Sequence, residues 1–144
     1  MSNDIIENIA SIQAQIADAA QEGGREASDV TLVAVSKTHD APRIQQALGA
    51  GHRVFGENRV QEAEGKWPAL KEATRDVSLH LIGPLQGNKV KPALELFDVI
   101  ETVDRPKLAR RLAGLMDETG LRPDIFIQVN TGEESQKAGI LPHD

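Results

Sequence analysis

The chain has 144 residues, of which 40% are hydrophobic and 26% are charged, as in an ordinary globular protein. Its formal net charge of −6 disfavours a nucleic-acid or an anionic membrane partner, because both attract basic surfaces. The chain contains no cysteine, which excludes disulfide bonds and thiolate chemistry. No apolar run approaches the ~20 residues of a membrane-spanning helix, and acidic residues near the start do not fit a secretory signal. We therefore expect one soluble cytoplasmic domain over residues 1–144.

The beginning of the chain predicts a long helix, a strand and a second helix. Four isoleucines between positions 5 and 16 are spaced by four, three and four residues, so they lie on one face of a helix that ends at Gly23. The uninterrupted apolar run at 32–35 predicts a strand that is buried on both faces. Asp40 and Pro42 open the second helix.

The same alternation continues to the end of the chain. In order, the pattern predicts a strand at 54–55, a helix over 58–72 interrupted by Pro68, a strand at 79–82, a helix over 86–96, a strand at 99–100, a helix over 106–119 and a strand at 124–130. Strands that alternate with helices predict βαβ units and a parallel sheet. Five such units are too few for a closed (β/α)8 barrel, which needs at least about 200 residues. On this pattern alone, an open five-unit sheet remains an alternative.

Polar residues follow the predicted strands, at the edge where parallel α/β folds build their sites. Lys37 comes directly after Ser36 and the first apolar strand, so its stem should begin inside the sheet while its amine reaches the mouth. One interpretation is a lysine that simply extends to water. The other is an amine that condenses with an aldehyde. That reaction requires the neutral amine, which we expect partial burial at the mouth to favour.

Three further residues are candidates for the same mouth. Asn58 either caps the helix that follows it or directs its side-chain amide at a ligand oxygen. His80 lies in a strand, as a packed hydrogen-bonded core residue or as a ligand contact. Glu57 either keeps a neighbouring amine cationic or is solvated, and we favour solvation.

Other kinds of site lack their sequence signatures. The four histidines share no metal-ligand spacing, and no glycine-rich dinucleotide motif or Walker motif occurs. The stretch 83–89 is a weak candidate for anion binding. We therefore expect no metal site and assign no catalytic residue.

Four stretches together resemble the pyridoxal 5′-phosphate (PLP) homeostasis protein family. They occur in the order of the family and cover nearly the whole chain, and they are Leu32–Thr38, Phe55–Glu62, His80–Lys89 and Gln128–Ile140. The resemblance implies an α/β fold, an alanine-racemase-like (β/α)8 TIM-type barrel that binds PLP. This chain would hold its first five β/α units and an extra N-terminal helix. It also implies that Lys37 is the Schiff-base lysine and that Asn58 and His80 bind the cofactor.

The resemblance further implies a cytoplasmic protein of PLP homeostasis without established catalysis. The full-length form would be a monomer with PLP-dependent apoenzymes as its partners. Two enzymatic alternatives remain. A PLP-dependent racemase or decarboxylase shares the fold, but the related racemases use a tyrosine opposite the lysine, and this chain contains no tyrosine. A Schiff-base aldolase would need a carboxylate beside the lysine, for which Glu57 and Glu101 are the candidates.

The chain departs from this family in length. Family members are longer, and their last strands and loops, which hold the cofactor phosphate, have no counterpart here. We therefore expect an amino-terminal part of the barrel with unpaired edges at its first and fifth strands. We also expect it to bind PLP weakly or not at all.

Overall fold

A sheet of five parallel strands organises the computed structural model, which describes residues 4–144. The strands are β1 (Ala34–Val35), β2 (Val54–Glu57), β3 (Ser78–Leu81), β4 (Val99–Val103) and β5 (Asp124–Ile127). The α-helices are α1 (Asp4–Glu22), α2 (Ala41–Gly49), α3 (Val60–Glu64), α4 (Trp67–Ala73), α5 (Val90–Leu96) and α6 (Pro106–Thr119). A 3₁₀ turn at Gly87–Lys89 precedes α5. None of the helices described over residues 4–144 is both long and apolar enough to cross a membrane.

The strand order is that of a barrel wall. Each strand pairs in parallel with the next strand along the chain, in the order β1-β2-β3-β4-β5, and helices fill the crossovers. In a doubly wound sheet the order would reverse at a switch point, whereas in a (β/α)8 barrel it follows the chain. The predicted α/β class with five strands and an extra N-terminal helix is confirmed.

Helix boundaries follow local signals. The Asp40 carboxylate accepts a hydrogen bond from the Arg43 backbone N–H at 3.2 Å and caps α2. The helix α6 ends at Gly120, whose φ of 74° needs a residue without a side chain. The predicted break in the helix over 58–72 is present. It lies at residues 65–66, between α3 and α4, and Pro68 stands in the first turn of α4, where its missing N–H costs no hydrogen bond.

The strand β1 differs from its prediction. The run 32–35 was expected to be buried on both faces, but only two of its residues pair, and Val35 is exposed. This strand pairs with β2 alone, and within the described residues no strand lies at its other edge. A strand at the edge of a sheet has a hydrogen-bonded neighbour on one side only, and its side chains are less covered than those of a central strand. This position accounts for the short length of β1 and the exposure of Val35.

The core lies between one face of the sheet and the helices. Residues in register on parallel strands face the same side, and this outer face carries Phe55, Leu79, Leu81 and Ile100, all buried. The Trp67 indole packs on Phe55 with ring centroids 5.1 Å apart. We call the opposite side the inner face, and it carries Val35, Gly56 and His80 in register.

The chain after β5 folds back on that strand. The Asn130 N–H donates to the Ile140 carbonyl at 2.8 Å, and the Ile140 N–H donates to the Gln128 carbonyl at 2.9 Å. Val129 and Ile140 form a parallel bridge. Ile140 therefore lies beside the segment that follows β5 and runs parallel to it.

A close backbone approach at Gly83 supplies a test of the fold. The Cβ of an alanine at Gly83 would lie 2.7 Å from the Asn58 carbonyl carbon, whereas at Gly87 it would meet nothing within 4 Å. We expect Gly83→Ala to lower the free energy of unfolding by about 1–3 kcal/mol. Gly87→Ala should change it by less than about 0.5 kcal/mol. Urea unfolding followed by circular dichroism measures both values, and equal stability of the two variants would contradict the packing.

The apolar side chains of β5 supply a second test. Phe126 is 52% exposed and Ile127 is 71% exposed. Apolar patches on edge strands promote association, so we expect the 144-residue chain to self-associate as its concentration rises. Ile127→Lys should reduce this association, while Gln45→Lys, which adds the same charge on exposed α2, should not. Sedimentation equilibrium measures the effect, and a wild-type chain that stays monomeric at all concentrations would oppose it.

Candidate functional site

Lys37 follows β1 at the carboxyl edge of the sheet. Its side chain is exposed, and its amine makes no hydrogen bond or ion pair with any residue between 4 and 144. The expected partial burial of this amine is therefore wrong for the described structure. The physical reason is the edge position of β1, because among residues 4–144 no further strand lies at its outer edge. The amine is accessible from solvent.

The loop that carries Lys37 is a tight turn. The His39 N–H donates to the Ser36 carbonyl at 3.2 Å, and Thr38 has a φ of 65°. A β-branched residue in the left-handed region is a genuine outlier that the surrounding structure must hold in place. One such restraint is visible, since the Thr38 N–H donates to the Glu62 carboxylate. The backbone conformation at Lys37 is thus fixed by contacts from another β/α unit.

Glu57 is fully buried, so the interpretation that it is solvated is wrong. Its register with Leu81 places it on the outer face, under α4. Its Oε1 accepts hydrogen bonds from the Ser36 hydroxyl at 2.9 Å and from the Trp67 indole at 2.8 Å, and it pairs with the Lys66 amine at 2.7 Å. A carboxylate on the outer face cannot act as the acid or base of a reaction on the inner face. Glu57 is thereby removed as the partner that a Schiff-base aldolase would need.

Lys66 is a residue that sequence reasoning missed. Besides its ion pair with Glu57, its amine donates to the Ser36 carbonyl at 2.8 Å and to the His39 carbonyl at 2.9 Å. It therefore binds the backbone on both sides of Lys37. The sequence would have indicated this ion pair only if Glu57 had been predicted to be buried and Lys66 to lie at the break before α4. Neither feature was predicted.

His80 lies on the inner face with both ring nitrogens engaged. Its Nδ1 lies 2.6 Å from the Glu101 carboxylate, and its Nε2 lies 3.2 Å from the Ser78 hydroxyl. Since a carboxylate can only accept, Nδ1–H donates to Glu101, and in the neutral ring Nε2 accepts from Ser78. This geometry fits a packed, hydrogen-bonded residue. A ligand contact through Nε2 would replace the bond to Ser78.

Asn58 does not cap the helix that follows it. The N-cap position of α3 is Arg59, which makes no side-chain capping bond. The Asn58 amide is half-buried and unbonded among the described residues, and it lines a cavity of about 510 Å³ between the loops after β2 and β3. Arg59 and Lys89 bring two cations to this cavity, but Lys37 and His80 do not line it. The structure thus leaves the three predicted site residues in separate surroundings.

The donor set can be compared with the chemistry of PLP, which combines an aldehyde with a phosphate. A free, exposed amine at Lys37 fits the aldehyde, because an amine bound in an ion pair would first have to lose its partner. The cations beside Asn58 are of the kind that bind phosphate. No group of three or more histidines, aspartates or glutamates within the described range is placed to hold a metal ion. The residues present fit the reactive end of this cofactor.

Comparison with known proteins agrees with the fold. Residues 8–144 match the family model of the alanine racemase N-terminal domain. The chain is 45% identical over 141 residues to the pyridoxal phosphate homeostasis protein of Pseudomonas aeruginosa, a match that covers 97% of this chain and 60% of that protein. The resemblance to this family of proteins is confirmed. The chain spans about 60% of the length of the relatives that it matches.

Solved structures give the same result. The structure of PipY from Synechococcus elongatus without PLP is 41% identical and superposes with a TM-score of 0.84, covering 97% of this chain and 60% of PipY. The structure of PipY with PLP bound superposes with a TM-score of 0.81, covering 97% and 59%. The strand order and the match over residues 8–144 lead to one conclusion: the chain belongs to the family of the alanine racemase N-terminal domain.

Proposed function

We propose that this chain binds PLP as a Schiff base on Lys37 and takes part in intracellular PLP homeostasis. The observation that carries the proposal is the exposed amine without a bonding partner at the end of β1. It stands in a fold whose relative PipY has been solved with PLP bound. The name of the Pseudomonas relative supports the homeostasis role.

The covalent step uses an atom that this chain provides. The Lys37 amine, in its neutral form, attacks the aldehyde carbon that the cofactor supplies, and a C=N bond replaces the C=O bond. The amine gives up two hydrogens and the aldehyde oxygen leaves as water, so the step needs no oxidant or reductant. The Lys37 amine makes no ion pair with a described residue, so none has to be broken before the attack.

Asn58 and His80 complete the proposed site with different roles. The Asn58 amide has no partner among the described residues, so it is available to donate to a ligand oxygen or to accept from a ligand group. His80 is held by Glu101 and Ser78, and it contributes to the wall of the inner face. Arg59 and Lys89 line the same cavity as Asn58, and we propose these cations as contacts for the phosphate.

The carrier role is favoured over catalysis by what surrounds the lysine. The relatives carry the name of a homeostasis protein rather than of an enzyme. The chain contains no tyrosine for a second racemase base, Glu57 is on the outer face, and Glu101 is bound to His80. A PLP-dependent racemase or decarboxylase remains the alternative, supported by the family to which the chain belongs. PLP-dependent apoenzymes are the proposed recipients, and we propose a cytoplasmic, monomeric full-length protein.

Chemical trapping tests the lysine assignment. We expect PLP in excess, followed by borohydride, to attach the cofactor mainly to the peptide that contains Lys37, because this lysine follows β1 at the carboxyl edge of the sheet, where parallel α/β folds build their sites. Lys37→Ala should abolish this label, whereas Lys107→Ala, at another exposed lysine, should leave it unchanged. Peptide mass spectrometry measures the distribution. Equal labelling of many lysines in both variants would reject the assignment.

Turnover separates the carrier from the enzyme. With PLP present, we expect no formation of D-alanine from L-alanine above the rate of free PLP, because the chain contains no tyrosine to act as the second base. Chiral chromatography measures the product, and Lys37→Ala serves as the background. Steady racemisation that depends on Lys37 would instead establish the alternative.

A further inference from the structure

A buried ion pair holds the loop that carries Lys37. The Lys66 side chain is 10% exposed and the Glu57 side chain is fully buried, and their charged atoms lie 2.7 Å apart. Charges removed from water this far must be paired, because an isolated one would be strongly destabilising. The pair therefore either only contributes to stability or also holds the neighbouring backbone in position.

The contacts of Lys66 favour a role in holding the neighbouring backbone in position. An ammonium has three N–H donors and no acceptor. In this structure the close acceptors are the Glu57 carboxylate and the carbonyls of Ser36 and His39, at 2.7, 2.8 and 2.9 Å. All three donors are therefore used, and two of them go to the backbone that flanks Lys37. No part of this arrangement touches the Lys37 amine itself.

A second contact restrains the same loop. The Glu62 carboxylate accepts from the Thr38 N–H and lies 3.6 Å from the Lys66 amine. Thr38 has a φ of 65°, a conformation that costs about 1–3 kcal/mol in a residue with a side chain. The conformation persists because Glu62 binds its N–H and Lys66 binds the carbonyl of the next residue. The turn would relax to an ordinary conformation if these bonds were lost.

We propose that Lys66, charged and held by Glu57, is a positioning residue that fixes the loop of residues 36–39 and thereby the direction in which Lys37 presents its amine. The proposal rests on the proposed function of Lys37 for its chemical consequence. Its structural consequence, an ordered loop, can be measured without PLP. Loss of the three bonds of the Lys66 amine should release the loop, so that the Lys37 amine takes many orientations. A reaction that needs one particular orientation then becomes slower.

The chain offers a matched control on α4, the helix that Lys66 precedes. Lys71 also forms an ion pair at 2.8 Å, with Asp98, and donates to a backbone carbonyl, that of Leu96, at 2.9 Å. Its side chain is 24% exposed. It does not contact the loop of residues 36–39. Lys71→Met therefore removes a similar ion pair and backbone bond, made to Asp98 and Leu96 rather than to the backbone that flanks Lys37.

The experiment compares Lys66→Met with Lys71→Met by two measurements on the 144-residue chain. We expect Lys66→Met to speed amide hydrogen exchange within residues 36–39 and to lower the rate of PLP trapping on Lys37 on the order of tenfold. Lys71→Met should change neither. The double variant Glu57→Gln with Lys66→Met removes the unpaired charge, so it should recover stability but not the trapping rate. Lys66→Arg should recover part of that rate.

Each outcome decides a separate claim. If Lys66→Met fails to fold, Glu62→Ala, which removes the bond to Thr38 and the longer ion pair with Lys66 but keeps the pair with Glu57, should still speed exchange and slow trapping by a smaller factor. If the wild-type chain traps no PLP, the proposed function fails, and faster exchange in Lys66→Met would still support the restraint of the loop. Unchanged exchange at residues 36–39, or trapping by Lys66→Met at the wild-type rate, would overturn the inference.

Discussion

The carboxylate of Glu57 is the constraint on which the arrangement of the first two β/α units depends. It lies fully buried at the end of β2, and its Oε1 receives a hydroxyl from the loop after β1, an indole from α4 and an ammonium from the residue before α4. Its Oε2 has no hydrogen-bond partner among the described residues. An ion pair buried in this way contributes little net stability, because desolvation offsets most of the attraction. What it contributes is geometry, since one oxygen ties three segments of the chain together.

Local signals were sufficient to predict the elements of the fold. The helix over Pro106–Thr119 was predicted with its observed bounds, because a proline suits the first turn and a glycine can adopt the left-handed conformation after the last. The strands were harder to delimit. β2 runs on to Glu57, beyond its apolar residues, because it pairs with β3 along that length. Pairing between distant residues sets such ends, and no local pattern records it.

The candidate site was predictable only in part. The position of Lys37 after the first strand followed from the parallel α/β pattern, and the cofactor assignment to Lys37, Asn58 and His80 stays a prediction. The burial of Glu57 was missed because a glutamate after a strand resembles a solvated loop residue. Its partner Ser36 lies 21 residues earlier in the chain, and the two side chains meet only after β1 and β2 have paired. The bond between Lys66 and the Ser36 carbonyl spans 30 residues in the same way. The hydrophobic periodicity of a sequence does not indicate which charged residues of different β/α units form ion pairs.

The strand order has a consequence for how the chain is made. Every strand pairs with its immediate predecessor, which lies roughly 20 residues earlier. During synthesis on the ribosome, the partner of each new strand has therefore already emerged, and the sheet can grow in one direction from the amino terminus. The parallel bridge between Val129 and Ile140 likewise joins a later residue to a segment that precedes it in the chain. Such a chain gains native contacts steadily as it lengthens, and folding need not wait for its last residue.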